Sequence, residues 1–124
     1  MTNQPSMDDF ESVSVFTEKT KDCLGSLTDT IPVGQGFQLL HIERFESEYK
    51  EQMNQYAIFT VKSGKTEGKY YTSAKALVSK CDSTNKDGES FLDMINKGWN
   101  PEVCLKKKKG DNFSYYVLEA YKVE

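Results

Sequence analysis

The sequence predicts a mainly β protein: a small Greek-key barrel of five strands with a helix between the third and the fourth. Three observations predict it. Residues 56–62 (YAIFTVK) alternate strictly, with Ala57, Phe59 and Val61 on one side and Tyr56, Ile58, Thr60 and Lys62 on the other. Residues 63–68 (SGKTEG) are polar and bounded by glycines, the mark of a hairpin loop, and a tyrosine-bearing strand returns after them. The same strand–turn–strand pattern recurs at the end of the chain, and a helical stretch separates the two hairpins.

Taken in order, residues 1–36 read as an acidic, partly disordered N-terminal arm. Residues 1–7 are polar and expected to be disordered. Val13, Val15 and Phe16 suit a short strand or arm, and Gly25, Pro32, Gly34 and Gly36 punctuate the remainder of the arm. The barrel domain is expected over residues 37–124. Its first strand is residues 37–45 (FQLLHIERF), mixed on both faces near its start, and the charged residues 46–54 are a loop or a short helix. The third strand is expected over residues 69–75 (KYYTSAK).

Residues 76–81 can start a helix, and the polar residues 82–88 interrupt it. Residues 89–97 (ESFLDMINK) are helical, with Phe91, Leu92 and Ile95 on one face and Gly98 placed as the left-handed terminator. The last hairpin runs out along residues 102–108, turns over residues 109–112 and returns along residues 113–122. Five strands with a helix between the third and fourth is the topology of an OB-fold barrel.

Composition bounds the function. No apolar run approaches the ~20 residues of a membrane span, and the N-terminus has no basic region followed by an apolar stretch. A cytoplasmic protein, without a membrane partner, is therefore expected. Cys23, Cys81 and Cys104 are far apart, no Cys-x-x-Cys pair exists and His41 is the only histidine, so no metal site of usual spacing and no cofactor are expected. His41 is expected to be a strand-face histidine, Val33-Gly34-Gln35-Gly36-Phe37 lacks the third glycine of a dinucleotide loop, and Asp8-Asp9 lie in the arm, so no catalytic residue and no enzyme are expected.

The net charge of −3 is unevenly spread. Residues 1–36 hold six acids against two lysines, whereas residues 56–124 hold twelve lysines against nine acids. An acidic front beside a more basic back suggests a tail next to a binding face. Tyrosines concentrate in the basic half. Adjacent residues of a strand point to opposite faces, so Tyr70-Tyr71 and Tyr115-Tyr116 each direct one ring inward and one outward.

Tyr56, Tyr71, Tyr115 and Tyr121 are assigned outward, with Lys62, Lys69 and Lys75 beside them. An outward ring near an ammonium is what single-strand binding uses, a base stacking on the ring and a phosphate meeting the charge. Tyrosine is also common in sheets that bind nothing. Lys106, Lys107, Lys108 and Lys109 are expected to run from the end of the fourth strand into the turn, where an OB-fold borders its ligand groove. A nuclear-import signal and a merely solvated turn compete for the same run. Trp99 is expected to plug the barrel end beneath the helix.

The stretch from Val33 to Tyr121 resembles the small OB-fold single-stranded-DNA-binding proteins of bacteriophages, especially those of protein-primed podoviruses. The features that match are the strand pair YAIFTVKSGKTEGKYYTSAK, the helical ESFLDMINKG and the terminal hairpin EVCLKKKKGDNFSYYVLEAY. Residues 8–25 have no counterpart in that pattern. The resemblance implies a sequence-nonspecific protein that coats single-stranded DNA during phage replication, with self-association or replication proteins engaging the arm. The alternative from another class is a protein-interaction module, such as a phage inhibitor of a host enzyme, which the acidic front favours.

Overall fold

The computed structural model describes residues 15–49 and 51–121. The expectations for residues 1–7, Asp8-Asp9 and Val13 lie outside the described residues.

Five strands form one open antiparallel sheet: β1 (Phe37–Tyr49), β2 (Gln52–Ser63), β3 (Thr66–Thr72), β4 (Glu102–Lys109) and β5 (Ser114–Ala120). Their order across the sheet is β3-β2-β1-β4-β5. Among the described residues four short helices accompany them. α1 (Val15–Thr20) and α2 (Leu27–Thr30) precede β1, and α3 (Lys75–Cys81) and α4 (Phe91–Asn96) connect β3 to β4. Among the described residues no helix is long and apolar enough to cross a membrane.

The alternation read from residues 56–62 sets the core. Ala57, Phe59 and Val61 are buried against Leu39, Leu77 and Leu105, while Tyr70, Tyr116 and Leu118 close the margin of the same cluster. Phe59 is fully enclosed, and burying one such ring contributes about 1.5–3 kcal/mol. The β2–β3 hairpin turns on two residues. Ser63 pairs with Thr66, and Gly64 takes a φ of 63°, which a primed hairpin turn asks of its first central position.

β1 reads as mixed on both faces near its start because it is bulged. The pairing with β2 shifts between Leu39 and His41, so Phe37, Leu39 and Ile42 all reach the core despite uneven spacing. β1 pairs with β4 only at Phe37 and Gln38. Beyond them, side-chain amides from the connection after β3 satisfy the backbone. Asn96 accepts from Ile42 N and donates to Ile42 O, both at 2.9 Å, and Asn100 donates to Leu39 O at 3.0 Å.

Several expectations are corrected. Val15 and Phe16 begin a helix, not a strand. Residues 46–49 and 52–54 are strand and not loop or helix, because β1 and β2 continue through them in register from Glu46↔Gln55 to Tyr49↔Gln52. The third strand lies earlier than expected, ending at Thr72, which places Lys75 at the start of α3. Lys109 belongs to β4 and not to the turn, and Tyr121 lies beyond the end of β5. Trp99 plugs nothing: it is 47% exposed and meets Phe91 edge-on at 5.8 Å. Residues 15–36 are tied to the sheet through Leu27 and Ile31, both in the core cluster.

The helix of residues 89–97 is as expected in its essentials. Ser90 caps α4 by accepting from Asp93 N at 3.3 Å, Ile95 is fully buried, and Gly98 follows at a φ of 114°.

Candidate nucleic-acid interface

The residues assigned outward divide into two groups. The first lies on the face of β1, β2 and β3 that turns away from the core. Alternation along β2 and β3 puts Tyr56, Lys62, Lys69 and Tyr71 there, with Ile58 between the two tyrosines across the register. This face is roofed by α1. The Phe16 ring sits 5.0 Å from Tyr56, tilted by 43°, and 5.2 Å from Tyr71, edge-on at 87°. Tyr56 also stacks on Phe45 at 5.1 Å and 15°. Phe16 N donates to Ser47 Oγ at 3.0 Å, and Lys19 bridges Glu43 at 3.5 Å. Lys69 lines the remaining groove with Glu18, Asp22 and Glu43, a mixed-charge setting. Lys62 stands opposite Glu67 in register.

The second group is the β4–β5 hairpin. Lys106, Lys107, Lys108 and Lys109 are all exposed strand residues. Strand alternation sends them two to a face. Lys107 and Lys109 extend the row of Val103 and Leu105 past the core, where Lys107 Nζ lies 5.8 Å from the centre of the Tyr116 ring. Lys106 and Lys108 take the other face, where Lys108 pairs in register with Tyr115 and bridges Glu119 at 3.2 Å.

Phe113 stands at the hairpin tip, 66% exposed, its ring centre 5.9 Å from that of Tyr115. Gly110 permits this arrangement. A Cβ there would lie 3.0 Å from Phe113 Cζ, and Gly110 N donates to Phe113 O at 2.7 Å. Phe113, Tyr115 and Tyr116 line one side of a mostly apolar slot, and Ala74, Lys75 and Ala76 line the other. Lys75 is thus brought to Tyr115 from a different element. Tyr121 stays apart from both groups, with its ring against Gly36 and its N donating to Glu102 O at 3.0 Å.

Two aromatics central to these surfaces, Phe16 and Phe113, were not among the sequence candidates. Phe113 carried a readable signal: a large apolar residue placed directly after Gly-Asp-Asn in a turn has no core to enter. Phe16 carried a weaker one, since a helix of six residues shows less than two turns of periodicity.

Among the described residues no buried side-chain nitrogen or oxygen lacks a hydrogen-bond partner. Arg44, half-buried on β1, donates to both carboxylate oxygens of Asp82 at 2.9 and 3.0 Å, to Tyr56 O at 2.6 Å and to Gln55 Oε1 at 2.7 Å. The hydrogen bond it donates to Asp82 raises the Arg44 pKa above its ordinary value. This guanidinium ties the long β1–β2 hairpin to the end of α3. Burial pushes the Cys81 thiol up to about 12, so it stays protonated and unreactive. Among the described residues no three His, Cys, Asp or Glu side chains cluster closely enough to hold a metal ion. No protein-family model, curated protein or solved structure matches the chain.

Proposed function

We propose that this chain is a sequence-nonspecific single-stranded-DNA-binding protein with an OB-like architecture, coating exposed strands during replication in the manner of the phage proteins its sequence resembles. The observation that carries the reading is the β4–β5 hairpin. It projects an exposed ring, Phe113, beside a second ring, Tyr115, with lysines on both faces of the strand behind them. Stacking on such rings is tolerant of base identity because every base has a π-face, and the ammonium groups follow the phosphates. Lys75 borders the same slot from α3.

The architecture fits this reading. The order β3-β2-β1-β4-β5, with helices between β3 and β4, is that of an OB barrel parted between β3 and β5. The hairpin joining β4 and β5 is where such barrels commonly border their ligand. As a member of that class the chain would act in the cytoplasm of the cell that makes it.

The test is a titration of the full chain with labelled oligo-dT at two salt concentrations. Wild type should bind more weakly at the higher salt, and Phe113→Ala should lose about 1–3 kcal/mol of binding with an unchanged melting temperature. An unaltered affinity in Phe113→Ala would remove the hairpin as the site. Absence of binding even at low salt would pass the chain to the protein-interaction reading, for which the exposed Trp99, edge-on against the half-buried Phe91, is the natural contact.

A further inference from the structure

The geometry points to a second base-stacking site under α1, with Phe16 as its built-in occupant: α1 is a releasable cover, and a nucleic-acid base takes the place of the Phe16 ring between Tyr56 and Tyr71. This inference rests on the single-strand reading above and adds a regulated surface to it.

The covered face has the composition of a stacking platform. Phe45, Tyr56, Phe16 and Tyr71 form a continuous row of rings with successive centres 5.1, 5.0 and 5.2 Å apart. Three of the four are fixed on the sheet. The fourth arrives on a helix of six residues, none of which is buried. Isolated helices shorter than ~12–15 residues do not hold their shape in water, so α1 is helical because it is seated and melts when it leaves.

The seat on the sheet is itself buried, Phe45 to 8% and Ile58 to 5% exposure, while α1 brings no buried residue of its own. Among the described residues the ties of α1 include the Phe16 ring contacts, one backbone hydrogen bond to Ser47 Oγ and the Lys19–Glu43 bridge, whose side chains are 44% and 43% exposed. An exposed ion pair of this kind adds little.

The chain beyond α1 is held independently. Leu24 N donates to Lys69 O at 2.8 Å, and Tyr71 N donates to Gly25 O at 3.1 Å, so the edge of β3 anchors residues 24–26. Only residues 21–23 lie between this anchor and the end of α1. A released α1 therefore remains tethered beside its seat at high effective concentration and closes again when the ligand departs. Its departure removes one acid and one base, Glu18 and Lys19, from the groove beside Lys69. Glu43 stays on the face. Binding there consequently rests on stacking more than on charge, which separates this site from the lysine hairpin.

The experiment uses the full chain and labelled oligo-dT at two salt concentrations, with Phe16→Ala, Lys19→Glu and Phe16→Ala/Tyr71→Ala compared with wild type, each checked for a cooperative melt. Opening the cover should make Phe16→Ala bind roughly tenfold tighter, since two ring contacts no longer compete with the ligand. The salt dependence should stay that of wild type. Lys19→Glu, which turns the bridge to Glu43 into a repulsion, should move affinity the same way by a smaller factor. Adding Tyr71→Ala should abolish the gain.

Affinity equal to or weaker than wild type in a folded Phe16→Ala overturns the inference, as does a gain that survives Tyr71→Ala. Should Phe16→Ala fail to fold, Lys19→Glu decides the matter alone. A failure of the hairpin reading is told apart by Phe113→Ala: if that variant binds like wild type while Phe16→Ala gains, the hairpin reading falls and the covered site stands. If none of the proteins binds, both fall.

Discussion

The protein carries two aromatic surfaces made of the same materials, tyrosine and lysine on β-strands, and they differ in what each has been given as a neighbour. On the outer face of β1–β3, Tyr56 and Tyr71 meet a phenylalanine from their own chain, and the cations there face carboxylates. On the β4–β5 hairpin, Phe113 meets solvent with the half-buried Tyr115 beside it, and Lys108 of the lysine run behind them is bridged to a carboxylate. Residue type and strand alternation assign both surfaces outward. Availability is decided by tertiary neighbours, which a strand pattern does not encode.

The comparison is broken most forcefully through stability. Phe59 lies on the core side of β2, and Phe59→Ala should cost about 3–5 kcal/mol in urea unfolding, the usual range for emptying an enclosed aromatic site. Tyr56, three residues earlier on the opposite face, is half-buried among rings. Tyr56→Ala should cost about 1–2 kcal/mol, the worth of its two ring contacts with Phe16 and Phe45. If the two variants lose equal stability, the α1-covered face is a second core, and its contrast with the hairpin is one of folding and not of access.

These outcomes bear on how much of the molecule was legible. The core set Ala57, Phe59 and Val61, the β2–β3 and β4–β5 hairpins and the helix ending at Gly98 followed from local periodicity and turn chemistry, and the inward–outward division of Tyr70-Tyr71 followed from the pleat. What failed was non-local. Residues 46–54 read as a loop or a short helix because they are charged, yet strand pairing carries β1 and β2 out to Tyr49↔Gln52. The bulge after Leu39 scrambled the alternation of β1. α1 owes its helix to contacts with a sheet that begins more than fifteen residues later in the sequence. For the candidate site, the lysine run and Tyr115 were found, while the closure over Tyr56 and Tyr71 and the ring at the hairpin tip were not.

The lysines sharpen the comparison next. Strand geometry places Lys106 and Lys108 on one face and Lys107 and Lys109 on the other, so a single strand lying along one face meets two of them. Replacing one pair with glutamine should flatten the log–log salt dependence of oligo-dT binding by about 1.4, two phosphates at ~0.7 each. Replacing the pair on the unused face should leave it nearly unchanged. Equal flattening from both pairs would mean that the strand wraps the hairpin edge. No flattening from either would move the phosphate path to other cations.

The smallest effect comes from Glu119, the carboxylate that makes the open surface resemble the closed one. It bridges Lys108 at 3.2 Å, with side chains 40% and 52% exposed, and it lies on the same side of the hairpin as Tyr115. Any phosphate approaching Lys108 must compete with this acid, and solvent screens the pair, so the competition is worth roughly 0.2–1 kcal/mol. Glu119→Gln keeps the side chain's size while removing its charge. Affinity for oligo-dT should rise a few-fold at low salt and converge on wild type at high salt, where the bridge is screened in both proteins. The salt dependence should steepen by about 0.7 if Lys108 becomes one further phosphate contact. Folding stability should move by no more than about 0.5 kcal/mol, as for other exposed substitutions. An unchanged salt dependence would show that Lys106 and Lys108 face away from the strand, leaving Lys107 and Lys109, beside Tyr116, as the cations that define the path.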